Sequence, residues 1–207
     1  MDFIDQFTAE IAQHQMQVIR DDGVNRHLRF KRPGTMTMHF DLVTWPGYLC
    51  YTGDMGTYVF RRLHDMFEFF RRDNDRAPYR IDLRYWAEKL QADDHGDGVR
   101  KWDQQQFEAE VRDYFEQYTS DEDEWPDDRK AALWQAIDEQ VCRASIESEH
   151  HAWTALLDFE HDGLFFRDWE SDCKVWTHYF LWCCHALEWA IGIYDAQKAG
   201  ACDTTAD

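Results

Sequence analysis

The spacing of apolar and polar positions changes period along these 207 residues. Phe3, Phe7, Ile11 and His14 recur three or four residues apart, which predicts an amphipathic helix over 3–15. Segments 16–20, 26–32, 36–45, 48–52 and 57–62 are then short and rich in Val, Phe, Tyr and Thr. Turn formers separate them: Asp22-Gly23, Pro33-Gly34, Pro46-Gly47 and Gly53-Asp54-Met55-Gly56. Connections this short join antiparallel neighbours, so the prediction is a four- or five-stranded meander. Within 36–45, Met36, Met38, Phe40 and Leu42 alternate with Thr37, His39, Asp41 and Val43, one set on each face. The opening helix is expected to cover one side of the sheet.

From residue 64 the period becomes helical. His64 to Arg72, with Met66, Phe67, Phe69 and Phe70, reads as a short helix, and Ala77-Pro78 breaks the pattern. Further helices are predicted over 82–91, 103–119, 126–144, 147–159 and 174–198. Pro126 suits a first helical turn, and Asp127 and Asp128 complement the positive end of the helix dipole. Strands followed by helices place the chain in the α+β class. The expected organisation is a β-meander with flanking helices over 1–76, an acidic helical region over 77–198, and a flexible tail over 199–207.

Composition and charge sharpen this picture. Hydrophobic residues make up 44% and aromatics 16%, too much apolar side chain for a disordered chain. Residues 1–80 carry eleven acids and eleven bases, whereas 81–207 carry thirty acids and eleven bases. The whole net charge of −19 therefore belongs to the second part. A field of that sign repels nucleic acid and anionic membrane and attracts basic protein surfaces. Met1-Asp2-Phe3-Ile4-Asp5 is acidic where an export signal would be basic and then apolar. Cysteines 50, 142, 173, 183, 184 and 202 form no Cys-x-x-Cys pair, so reduced thiols in a cytoplasmic protein are expected. The apolar stretch Tyr179 to Tyr194, interrupted by His185 and Glu188, is short of the ~20 residues a membrane span needs. It reads as a core helix or as a dimer seam within 174–198.

Candidate chemistry is sparse. Asp93, His95, Asp97 and Gly98 imitate the start of a calcium loop, but its twelfth position is Gln104, which supplies no bidentate carboxylate. Glu147 and His150 match one arm of a di-iron site, and the nearest second arm, His185 and Glu188, runs in reversed order. His178 and His185 share a helix face, two ligands where zinc takes three or four. No metal and no cofactor is expected. Ser120, Ser145, Ser148 and Ser171 lie outside any nucleophile elbow, and no glycine loop cradles phosphate. The remaining catalytic candidates are His27, His39, Asp41 and Asp54, on neighbouring strands and one turn, with Arg29 and Arg61 near enough in the pattern to hold an anion. A charged, solvated sheet face accounts for the same residues.

"RDDG…RHLRFKRPGT" (20–35), "FDLVTWPG" (40–47) and "GDMGTYVFRRLHDMFEFFR" (53–71) resemble a group of uncharacterised bacteriophage and prophage proteins. The resemblance covers about a quarter of the chain and does not extend past residue 80. It implies a mobile-element origin and a bacterial cytoplasm, and it brings no reaction or catalytic residue. Joined to the acidic second part, it leads to an expectation of a phage accessory protein that binds a partner and is not an enzyme. The partner would present a basic, nucleic-acid-binding surface, as targets of anti-restriction and anti-CRISPR inhibitors do, with DNA mimicry as one mode. The residues expected to meet it are Glu108, Glu110, Asp113, Glu116, Asp121, Glu122, Asp123, Glu124, Asp127 and Asp128. The alternative is a small enzyme acting on a nucleotide or other anion at the sheet face.

Overall fold

The computed structural model describes residues 2–71, 81–94, 98–121, 123–167 and 169–203, the last three as backbone alone. In chain order the elements begin with α1 (Phe3–Ile11), β1 (Gln15–Asp22), β2 (Asn25–Lys31), β3 (Phe40–Trp45), β4 (Tyr48–Gly53) and β5 (Gly56–Arg61). Then come α2 (Met66–Phe70), α3 (Leu83–Ala87), β6 (Leu90–Asp93), β7 (Arg100–Trp102) and α4 (Gln104–Tyr118). The chain continues through α5 (Asp127–Ile137), a π-helical turn (Asp138–Cys142), α6 (Arg143–Glu147), α7 (Glu149–Asp158), β8 (Lys174–Trp176) and α8 (His178–Asp203). This is the expected α+β architecture: an opening helix, an antiparallel meander and a mostly helical remainder.

Two compact units partition the chain, Met1–Val99 with Trp176–Asp207, and Arg100–Val175. The division differs from the expected boundary at 76/77, because the last helix belongs with the sheet and not with the acidic helices. In the first unit the strands lie in the order β1 to β6, each antiparallel to the next. Alternation decides the faces: Leu28, Phe30, Phe40, Leu42, Leu49, Tyr51, Tyr58 and Phe60 all point to one side and are fully buried. Phe7 and Ile11 of α1 join them, and so do Phe180, Trp182, Leu187 and Ile191 of α8. Trp182 meets Phe7 and Phe40 edge-on at 5.2 and 5.5 Å, and Phe180 meets Tyr58 at 5.7 Å. The opening helix therefore shares the cover with α8. Nine residues of helix reach only ~13 Å, while six strands span ~24 Å between edges. The apolar residues of 174–198 read as a dimer seam are thus largely buried inside the chain's own core.

Several element boundaries also differ from expectation. The helix predicted over 82–91 ends at Ala87, and Leu90–Asp93 instead pairs with β5 as a sixth strand. Residues 36–39 form a turn, closed by the His39 N–H donating to the Met36 carbonyl, so β3 begins at Phe40. Residues 174–176 form β8, paired with β7, ahead of α8. Residues 199–203 continue α8, and the rest of the predicted tail, 204–207, lies outside the described residues. At Gly53 the β3–β4 approach leaves no room for a side chain, since a Cβ there would lie 2.7 Å from Phe40 Cα.

In the second unit, Phe107, Val111 and Phe115 stack at four-residue intervals along α4. They pack with Leu133, Ile137 and Val141, with Ala152 and Leu156 of α7, and with Phe159, Leu164 and Phe166. Asp103 caps α4 by accepting from the Gln106 N–H, and Ser148 caps α7 through the His151 N–H. The π-helical turn keeps Val141 and Cys142 buried where α5 passes into α6.

Candidate functional site

The four catalytic candidates fall into two separate pairs. On the outward face of the sheet, His27 Nε2 lies 2.7 Å from Asp41 Oδ2, across the β2–β3 ladder. Arg29 grips the same carboxylate with two bonds of 2.9 Å, so both Asp41 oxygens are engaged. Burial by itself would raise the Asp41 carboxyl, but hydrogen bonds from Arg29 and His27 outweigh it and hold it below the usual carboxylate range. The second pair is a turn device. His39 Nδ1 reaches the Met36 carbonyl at 2.8 Å and Asp54 Oδ1 at 3.0 Å, and Asp54 Oδ2 accepts the Met38 N–H at 2.7 Å. These contacts tie the 36–39 turn to the β4–β5 turn.

Such a face orients an imidazole but supplies little else for catalysis. Along the ladder, His27 faces Val43 and Val43 faces Cys50. Burial pushes the Cys50 thiol up, away from the thiolate that acts as a nucleophile. Arg29 is committed to Asp41, and the Arg61 guanidinium lies over the Tyr48 ring, 5.3 Å from its centroid. The two arginines proposed to hold an anion are therefore engaged with side chains of the sheet itself.

The ten acids of the binding expectation lie in the second unit, 100–175, where twenty-one acids face eight bases for a net −13. Asp113, Glu116, Asp121, Asp123, Glu124, Asp127 and Asp128 are exposed, and Glu122 lies outside the described residues. Glu108 has a structural role instead, accepting from Gln104 at 2.7 Å and from Ser145 at 3.0 Å. Glu110 is half-buried beside the Cys173 thiol. The bases of this unit are largely spent on internal partners. Arg100 pairs with Asp172, Arg129 with Asp162 and Lys174 with Glu149, while Arg112 stacks on Trp134 at 3.9 Å. These pairs take up Asp172, Asp162 and Glu149, none of the ten candidate acids, and the excess of thirteen acids remains.

Two adjoining grooves open in this unit, both lined by Trp169 and Ser171. One, of about 370 Å³, is walled by Trp153, Leu156, Leu157 and Phe166. The other, of about 240 Å³, carries Glu110, Asp113 and Glu170 beside Tyr114. Sequence reasoning found Glu110 and Asp113 but missed Tyr114, Trp169 and Glu170. Nothing in the local pattern joins a helix at 110–117 to a loop 55 residues on; only folding does.

Among the described residues no three His, Cys, Asp or Glu side chains converge as a metal site would require, and His95 and Asp97 of the calcium-like loop lie outside those residues. No described helix is long and apolar enough to cross a membrane. The sequence matches no family model, and neither a curated protein nor a solved structure is significantly similar to it. Fold and surface together define an α+β protein whose inserted helical unit is strongly acidic.

Proposed function

We propose that the protein is a phage-encoded accessory protein that acts by occupying a basic, nucleic-acid-handling surface on a host or phage protein. It would work as an anti-restriction or anti-CRISPR inhibitor does, by DNA mimicry or by occlusion, inside the bacterial cytoplasm. One observation carries the reading: residues 100–175 keep a net −13 after every base is counted, with most of the ten candidate acids exposed. A concentrated negative field accelerates and selects encounter with a positive patch. The phage-like wording of residues 20–72 adds the biological setting. The enzyme alternative draws less support, since both Asp41 oxygens are already held by Arg29 and His27.

The test is capture of partners from bacterial lysate on the tagged full chain at ~0.1 M and ~1 M salt, where the Debye length falls from ~10 to ~3 Å. The expected result is a nucleic-acid-binding protein that elutes at high salt, is displaced by duplex DNA, and is lost when Asp113, Glu116, Asp121, Asp123 and Glu124 are made amides. A partner set indifferent to salt and to these substitutions would overturn the proposal.

A further inference from the structure

The smaller groove beside Trp169 differs from the rest of the acidic surface, because it is concave and aromatic as well as charged. Glu110, Asp113 and Glu170 share its lining with Tyr114 and Trp169, and none of its described lining residues is basic. The rings are held by their polar edges. The Trp169 indole N–H donates to the Ser171 carbonyl at 2.9 Å, and the Tyr114 hydroxyl donates to the Phe165 carbonyl at 3.4 Å. The polar atoms of both rings are thus engaged within the protein. Packing against Phe107 and Phe166, with centroids 6.0 and 5.9 Å away, further fixes the Trp169 ring.

We propose that this groove takes an arginine or lysine side chain from a basic segment of the partner, while the adjoining groove takes an apolar side chain of the same segment. The inference rests on the binding function proposed above and says where in the acidic unit the contact is made. A cation at a groove lined by carboxylates gains Coulomb attraction without the three having to converge on it, and an aromatic face attracts it through the ring quadrupole. The smaller groove has no base among its described lining residues, and the nearby Arg100 and Lys174 pair with Asp172 and Glu149 at the adjoining one. The adjoining groove offers an apolar neighbour one wall, Trp153, Leu156, Phe166 and Leu157, the last 69% exposed, while Arg167, Asp172 and the Lys174–Glu149 pair make up its charged lining. Pre-built pockets of this kind anchor a partner through a few side chains, whereas a diffuse charged surface does not.

The test uses the full-length protein and a short synthetic peptide of alternating arginine and leucine, with a second peptide in which citrulline replaces every arginine. Indole ¹⁵N–¹H signals report the site, with Trp169 assigned through Trp169→Phe. The arginine peptide should shift the Trp169 signal and the citrulline peptide should not. Asp113→Asn with Glu170→Gln, both at exposed positions, should weaken binding about tenfold. The equal neutralisation Asp123→Asn with Glu124→Gln should weaken it less than twofold. Thermal unfolding of each variant confirms that it folds. Equal weakening by the two charge-matched variants, with the Trp169 signal unmoved, would overturn the groove while leaving the acidic-surface reading standing. An arginine peptide that fails to bind at all would overturn the groove whatever the lysate experiment shows, and failure of that experiment alone would count against the proposed function.

Discussion

Arg26 places a charge inside the first unit and is matched on several sides. From β2 its guanidinium donates to both oxygens of Asp65 at 2.9 and 2.7 Å and to the Tyr194 hydroxyl at 3.3 Å. It also lies 4.5 Å from the Phe67 ring centroid. Burial alone would raise the Asp65 carboxyl, but the hydrogen bonds from Arg26 and the Phe67 N–H outweigh it and hold the group below its ordinary value. A carboxyl lowered by folding contributes stability that is complete above its unfolded pKa of about 4 and is lost as pH falls through the lower folded value. Asp65→Asn keeps an acceptor for the Phe67 N–H that caps α2 and removes the charge, stranding Arg26. The expected loss at neutral pH is about 3 kcal/mol in denaturant unfolding, with a shallower decline of stability below about pH 4. An unchanged acid slope would mean that Asp65 is not the counter-ion that matters.

At the scale of elements, α8 is the largest departure from a one-sided amphipathic helix. Phe180, Trp182, Cys183, Cys184, Ala186, Leu187, Ala190 and Ile191 are all buried, so apolar residues occur around most of its circumference. Such a helix has to be enclosed, and the inner sheet face together with α1 encloses it. Cys183 and Cys184 show the consequence, since burial pushes both thiols well above their usual range. A small alkylating reagent at neutral pH should modify half-exposed Cys50 well before Cys142, Cys173, Cys183 or Cys184 in the native protein. In denaturant all of them should react, and peptide mass mapping distinguishes the two states. Native-state labelling of Cys183 as fast as Cys50 would contradict the placement of α8 over the sheet.

For the whole molecule, the acidic helices are an insertion. Residues 100–175 depart from Val99 and return at Trp176, and the Thr177 N–H donates to the Val99 carbonyl at 3.0 Å. The two ends of the insertion are therefore adjacent within the sheet unit, the arrangement in which insertions are tolerated. Joining Val99 to Trp176 through a short glycine linker should yield a chain that retains cooperative unfolding and the near-ultraviolet dichroism of the packed Trp182. It should also lose the salt-sensitive partner, because net −6 remains where the full chain carries −19. A non-cooperative product would show that the sheet unit needs the insertion to fold.

Period and punctuation determined the strands from 16 to 62, because each is short, alternates in polarity and ends at a turn-forming pair. They determined most of the helices too, since Phe107, Val111 and Phe115 leave one unmistakable apolar stripe. Charge counting located the acidic region from sequence alone, as charge needs no folding to be summed. Tertiary structure decided what local signals do not encode. Leu90–Asp93 became a strand because β5 offered an unpaired edge, and α8, starting 85 residues after that strand ends, joined the sheet because both had apolar faces to bury. His27, Arg29 and Asp41 met through ladder register, and His39 and Asp54 met through two turns. The groove of Glu110, Asp113, Tyr114, Trp169 and Glu170 exists only because α4 and the 169–171 loop are brought together by a core between them. Contacts so distant in sequence leave no periodic trace, which is why the acids were legible and their aromatic partners were not.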